Sequence, residues 1–334
     1  MNTETENATK RIKKYLLDGT AQDVVDRYAR LKEIASKADF GAMDENIVVV
    51  DTETTGFSFT HDELIQIAAA RLEKGEIVDW YVTFVDPGKP IPEDVAHLTD
   101  IHDEAVAGAP SPQEALAGLV EFAGDAKMIA HNVDFDKTFT TRHPEGYPLL
   151  ENTWIDSLDL SRIALPKLKS HRLIDLVHTF DTPVSTHRAD ADVEATCSVY
   201  RILLAAVCSM PFELIECIAG MESKENWSTQ VVFEYFTNNK DLRDAVIGAQ
   251  ASQIESAGSC DFGCEGNAFS SNDSKAHELF PEVSPSEKKR FFSLRSLRRK
   301  RINSLSDLSS KRDAGLIKSD NDAPIIAPSP AEID

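Results

Sequence analysis

Apolar residues alternate between two periods along the middle of the chain. Ile47-Val48-Val49-Val50 is an unbroken β-branched run, which predicts a strand covered on both faces. Segments 64–72 and 77–85 predict two further strands, joined by the hairpin-like turn Lys74-Gly75-Glu76. Pro87, Gly88, Pro90 and Pro92 mark a loop, after which 94–98 and 111–122 read as helices, with Pro112 suited to a first turn. Segment 128–131 predicts a short buried strand, 133–142 a helix, 154–156 an extended piece and 172–180 a helix. A long helix follows over 189–207, with Ala195, Val199, Ile202 and Leu203 facing inward. Early strands followed by alternating helices and strands predict an α/β domain over 46–207.

The flanks read differently. Residues 1–45 predict a helical N-terminal extension: one helix over 8–17, a break at Asp18-Gly19, and a second helix carrying Val24, Val25, Tyr28, Leu31 and Ile34. Residues 208–256 predict a helical C-terminal extension, with helices over 212–220 and 227–254. From 257 to 334 large apolar residues give way to Ser, Asn, Asp and Pro, which predicts a largely disordered tail. Within it, segment 288–301 carries eight positive charges among Phe291, Phe292, Leu294 and Leu297. That composition suits nucleic acid, a membrane surface or an acidic partner, and equally a solvated tail drawn to the protein's own acidic body.

Charge narrows the readings. Acids outnumber bases 56 to 35, for a net charge of −21, which excludes holding nucleic acid by broad Coulomb attraction. Any such contact must be local or metal-mediated. Residues 47–207 hold 27 acids against 12 bases, and Arg162, Lys167, Lys169, His171 and Arg172 are their one basic concentration. These could guide a phosphate backbone, although solvated loop charges are the commoner explanation. The opening Met1-Asn2-Thr3-Glu4 has no apolar signal core and no run is long enough to span a bilayer, so a soluble, cytoplasmic protein without a membrane span is expected. Five cysteines, an odd number, do not form a secreted disulfide framework.

Candidate chemistry begins where the first strand ends, in Asp51-Thr52-Glu53-Thr54-Thr55-Gly56. Side chains alternate along a strand, so Asp51 and Glu53 share a face and Thr52 points away. Adjacent carboxylates repel unless a cation lies between them. A second acidic stretch is His131-Asn132-Val133-Asp134-Phe135-Asp136, where a strand runs into a helix, and a third is His187-Arg188-Ala189-Asp190-Ala191-Asp192 at the start of the long helix. Hard divalent cations such as Mg²⁺ take oxygen ligands and suit a few carboxylates plus a substrate phosphate; two of them suit an in-line phosphoryl displacement. Imidazole titrates near neutrality, so His187 could accept a proton from the attacking water.

Together these three stretches resemble the exonuclease motifs of the DEDDh (DnaQ-like) 3′–5′ exonucleases, a family that includes the proofreading subunit and domains of bacterial replicative polymerases. The resemblance covers about 46–207. It implies a ribonuclease H-like fold, a central mixed β-sheet flanked by helices. It implies that Asp51, Glu53, Asp136 and Asp192 bind two Mg²⁺ or Mn²⁺ ions per site and that His187 is the general base. The spacing of five from His187 selects Asp192 over Asp190 and Glu194. The reaction implied is hydrolysis of terminal phosphodiesters of single-stranded or frayed nucleic acid to nucleoside 5′-monophosphates, with DNA favoured and RNA a further substrate. Thr54, Thr55, Gly56 and Phe57 resemble the segment lining the terminal nucleotide, where Phe57 could stack on a base or be an ordinary loop aromatic. Gln66 stands where many relatives carry a glutamate beside the terminal sugar. Two alternatives remain: a non-catalytic DEDDh-fold module binding nucleic acid or a replication partner, and an RNA-trimming exoribonuclease. A polymerase link would need a partner chain; segment 230–236 resembles a sliding-clamp peptide, with an apolar helix or strand face the commoner reading.

Overall fold

Strand β1 (Ile47–Thr54) sits at the centre of a five-stranded sheet of order β3-β2-β1-β4-β5, with β2 Leu64–Glu73, β3 Glu76–Phe84, β4 Lys127–Ala130 and β5 Trp154–Asp156. The computed structural model describes residues 3–183, 188–222 and 227–248. His187 and the whole of 257–334, with its basic segment 288–301, lie outside the described residues. β1 runs antiparallel to β2 and parallel to β4, while β2–β3 is antiparallel and β4–β5 parallel. The β2–β3 hairpin turns through Lys74 (φ 50°) and Gly75 (φ 87°), the paired positive φ angles that match strand twist in a two-residue turn. This is the mixed sheet of the ribonuclease H-like fold, flanked by helices as expected.

Among the described residues twelve α-helices surround the sheet. α1 (Thr3–Lys13) and α2 (Gln22–Lys37) precede it, and α3 (Glu93–Thr99), α4 (Asp103–Val106) and α5 (Pro112–Ala123) make the crossover to β4. α5 opens with a capping box, Ser111 accepting from Glu114 N while the Glu114 carboxylate accepts from Ser111 N. α6 (Val133–Thr140), α7 (Ser157–Ala164) and α8 (Leu173–Phe180) follow β4 and β5. The long α9 (Ala189–Cys208) leads to α10 (Phe212–Ala219), α11 (Gln230–Asn238) and α12 (Lys240–Gly248).

Strand parity divides the core into two layers. Ile47, Val49, Ala68, Ala70 and Leu72 pack towards α9, in a cluster with Val199 and Leu203. Val48, Val50 and Ala69 pack on the other face, with Ala115, Leu116 and Leu119 of α5. The flanking helices join the first layer through Tyr28 and Leu31 of α2 and Phe233 and Phe236 of α11. Arg201 of α9 fastens the end of α2: it forms an ion pair with buried Asp44 and donates to Ala35 O at 2.7 Å and Ala38 O at 2.9 Å.

Helices α4 and α7 form where the sequence analysis expects none, and two expected helices differ in extent. α1 ends at Lys13 rather than at residue 17, because Leu16 makes an antiparallel bridge to Leu168. Leu17 N donates to Lys167 O at 2.9 Å and Lys169 N to Tyr15 O at 2.8 Å, so this backbone is extended to meet the loop before α8. The helix expected over 227–254 is broken at Asn239, which separates α11 from α12. No single helix among the described residues is long and apolar enough to cross a membrane.

Candidate active site

β1, β4 and β5 are parallel, so their carboxyl ends open on one edge of the sheet, the place where open α/β sheets gather chemistry. Asp51 and Glu53 end β1 on the α9 face, and α9 brings Asp192 in from its first turn. α6 starts just beyond β4 and carries Asp136 in its own first turn, 3% exposed. Thr52, on the other parity of β1, donates its hydroxyl to Asp136 Oδ1 at 2.8 Å.

Electrostatics ties these carboxyls together. Burial first, then the charges of Asp136, Glu53 and Asp192, push the Asp51 carboxyl well above the usual carboxylate range. Glu53 is pushed up to about 8, by burial and then by Asp192 and Asp136. Burial also raises Asp136, against the lowering effect of the Thr52 hydroxyl. Among the described residues no salt bridge reaches Asp51, Glu53 or Asp136, so the repulsion between them is not offset by a lysine or arginine. Nor are any three His, Cys, Asp or Glu side chains gathered closely enough to hold a metal ion as they stand. The donor set nonetheless fits a hard divalent cation in its chemistry: only carboxylate oxygens, each favouring ionisation once a positive charge lies among them. The rival acids of the third motif stand apart, Asp190 pairing with Arg188 at 3.3 Å and Glu194 exposed.

The motif before α6 is scaffold. Asn132 adopts a left-handed conformation (φ 80°), and its N–H donates to Asp156 Oδ1 at 3.1 Å. The same oxygen accepts from Leu158 N at 2.9 Å, capping α7. Asp156 was not anticipated from the sequence, although an Asp at a strand end before Ser-Leu carries a helix-cap signature. Burial, then Asp159, raises its carboxyl to about 6. His131 Nε2 lies 2.9 Å from His171 O; a carbonyl only accepts, so Nε2 carries the proton and Nδ1 faces Ser157 Oγ at 2.9 Å. Burial holds this imidazole neutral, pushing it down to about 4.

The segment expected to line a nucleotide is a braced loop. Thr54 Oγ1 donates to Gly56 O at 2.6 Å, and Thr55 Oγ1 donates to Asp62 Oδ1 and accepts from Glu63 N, both at 3.0 Å. Arg142, just past α6, pairs with Glu63 and donates to Phe59 O and Asp62 O. Thr54 and Thr55 are therefore buried shapers of the turn, while Phe57 stands 84% exposed, its ring 6.1 Å from that of Phe135. Gln66, expected beside the terminal sugar, is buried. It is 1% exposed, in line with Ala68 and Ala70 under α9, and its Oε1 accepts from Ala189 N at 3.3 Å. It satisfies the start of the helix that carries Asp192.

A ribonuclease H-like sheet here gathers carboxylates from three elements at one edge. Residues 48–200 match the exonuclease family model RNase_T, and this part of the chain is similar to the DnaQ-like 3′–5′ exonucleases. It resembles polymerase proofreading domains. The chain is 39% identical over 164 residues to a DNA polymerase III PolC-type from Halalkalibacterium halodurans, covering 48% of this chain and 11% of that protein. A PolC-type polymerase from Latilactobacillus sakei is 40% identical over 152 residues, covering 45% and 10%. The chain thus spans about a tenth of the length of these relatives. Among solved structures, exonuclease X in complex with 5′-overhanging duplex DNA aligns with 23% identity and a TM-score of 0.40, covering 47% of this chain and 90% of its own. The zinc-bound complex of Escherichia coli exonuclease I with single-stranded DNA aligns with 19% identity and a TM-score of 0.43, covering 53% and 43%.

Proposed function

We propose that this protein is a divalent-metal-dependent 3′–5′ exonuclease that releases nucleoside 5′-monophosphates from single-stranded or frayed DNA ends. The observation that carries the reading is the meeting of Asp51, Glu53, Asp136 and Asp192, from β1, α6 and α9, close enough that the charges of Asp136 and Asp192 raise the proton affinity of Asp51 and Glu53. Without a cation that arrangement is unfavourable, and a fold with no use for it gains nothing by keeping it. These four carboxylates would hold Mg²⁺ or Mn²⁺, which when bound supplies charge stabilisation for both the attacking and the leaving oxygen of a phosphoryl displacement.

The residues themselves supply the rest. Thr52 fixes the Asp136 carboxyl by its hydrogen bond, and Gln66 secures the start of α9 and so the approach of Asp192. Phe57, exposed at the rim of a loop braced by Asp62, Glu63 and Arg142, offers a face on which the terminal base can stack. His187 takes the proton of the attacking water. A single strand is preferred because an unpaired end requires no unstacking before its terminal phosphodiester reaches the acids. Similarity to PolC-type polymerases favours DNA over RNA and a replicative setting, in which a polymerase would be a separate partner.

The test is digestion of 5′-labelled single-stranded DNA, mismatched duplex DNA and RNA by the full chain with Mn²⁺, with Mg²⁺ and with chelator. Stepwise shortening from the 3′ end, strongest on single-stranded DNA and abolished by chelator and by Asp136→Ala, is expected. Oligonucleotide binding without metal-dependent shortening would leave a non-catalytic binding module as the better reading.

A further inference from the structure

On the sheet edge where the acids lie, β4 and β5 open into a second feature, a cavity of about 580 Å³ between the start of α6 and the loop that precedes α8. Its polar lining includes His131, Asn132, Arg162, Lys169, Ser170 and Arg172, with no carboxylate among the lining residues. In a domain where acids outnumber bases 27 to 12, three cations around one cavity stand out. Asn132 precedes Asp136 by four residues, about 6 Å of helical rise, so the cavity adjoins the acid cluster.

Arg162 projects from the last turn of α7, and the loop bearing Lys169 and Arg172 is fastened from several sides. Its backbone joins the N-terminal segment through Leu17 N to Lys167 O at 2.9 Å and Lys169 N to Tyr15 O at 2.8 Å. It joins the strand end before α6 through His131 to His171 O at 2.9 Å, and it is closed on itself by His171 Nε2 donating to Leu165 O at 3.0 Å. The nearby acids take only part of the donor capacity. Arg172 gives Nε to Asp175 at 2.6 Å, Arg162 gives Nη1 to Asp159 at 3.4 Å, and Lys169 lies 3.8 Å from the fully exposed Asp18. The remaining guanidinium N–H groups have the fork geometry that phosphate oxygens accept. Solvated loop charges need neither a fixed backbone nor a shared cavity.

We propose that this cavity is a phosphodiester-backbone subsite, holding the strand upstream of the 3′ end that enters the acid cluster. The proposal rests on the exonuclease reading for the polarity of that strand, and on its own geometry for the binding. A strongly acidic active-site domain gains from it a local anchor for a polyanion.

Binding in chelator separates the two. The full chain and its Arg162→Ala/Lys169→Ala/Arg172→Ala variant are titrated by fluorescence anisotropy against labelled oligothymidylates of increasing length over a series of salt concentrations. The triple variant is expected to bind the longer strands about ten-fold or more weakly, with a smaller loss for a dinucleotide. Its salt slope should flatten by about 2, at about 0.7 per phosphate contact on a single strand. Arg172→Ala, whose side chain is 76% exposed, gives the same test at one-third of the slope change if the triple variant does not fold. Equal affinity and slope in variant and wild type would overturn the proposal, as would failure of the wild type to bind in chelator. Competition by thymidine monophosphate as strong as by the longer strand would also overturn it, showing an isolated-anion site. Absence of metal-dependent shortening would defeat the exonuclease reading while leaving the binding comparison intact.

Discussion

Raising the pH of the metal-free protein should destabilise it, and a divalent cation should reverse the effect. Glu53 rises from its ordinary 4.5 to about 8 in the folded state, while Asp51 and Asp136 are raised in the same direction. A carboxyl with a raised folded-state value binds protons more tightly folded than unfolded, so its stabilising contribution is complete below 4.5 and is lost as pH climbs through 8. At about 1.4 kcal/mol per pH unit the Glu53 rise alone corresponds to about 5 kcal/mol, which its partial exposure reduces to roughly 2–3 kcal/mol. Other groups must be kept out of the window. Asp44 and Asp156, each raised to about 6, act with the same sign but finish near that pH. His131, held down to about 4, acts with the opposite sign and finishes at its ordinary 6.5. Between about pH 6.5 and 8.5 the fall in stability therefore belongs to the acid cluster. Thermal unfolding of the full chain in chelator should show a loss of roughly 5–10 °C over that interval. Mn²⁺ at about a hundred times its dissociation constant should restore about 2.7 kcal/mol, with more effect at the upper pH because protons no longer compete for the carboxylates. A midpoint that is flat or rising across the window in chelator, or a Mn²⁺ effect equal at both ends, would refute the picture of mutually repelling carboxylates awaiting a cation.

Three substitutions probe the support beneath the site. Thr52→Val keeps shape but removes the hydroxyl from buried Asp136; about 1–3 kcal/mol of stability should be lost near pH 8.5 and less near pH 5, where the carboxyl is protonated, as read by urea unfolding at both pH values. Gln66→Leu leaves the Ala189 N–H without its acceptor and should cost about 1–2 kcal/mol while weakening Mn²⁺ binding through Asp192; unchanged Mn²⁺ affinity by calorimetry would separate Gln66 from the site. Arg201→Met strands Asp44 in the core and should cost about 3–5 kcal/mol, with the N-terminal helices the first to gain protease sensitivity; a uniform loss of protection would show that those helices do not open separately.

The parts of the site legible in the sequence are those set by short-range rules. Strand alternation alone places Asp51 and Glu53 on one face and Thr52 on the other, and a strand running into a helix places Asp136 in a first turn. What the sequence obscures depends on partners distant along the chain. Thr54 and Thr55 look like surface residues of a turn until Asp62 and Glu63 close the loop over them. Gln66 is the instructive case, because the same alternation that located the acids puts it in register with Ala68, Ala70 and Leu72, the face that α9 covers. Its burial follows from that pattern. The basic loop shows the opposite relation. Arg162 at the end of α7 and Lys169 and Arg172 in the loop beyond are conspicuous in composition yet uninformative, since surface charges are ordinarily solvated. Only the sheet topology gives them meaning: β1, β4 and β5 run in parallel, so the acids that end β1 and the cations that follow β5 open on one edge. An edge that gathered carboxylates alone would repel a polyanion; one that also carries a fixed set of cations can draw a strand in and direct its end to the acids.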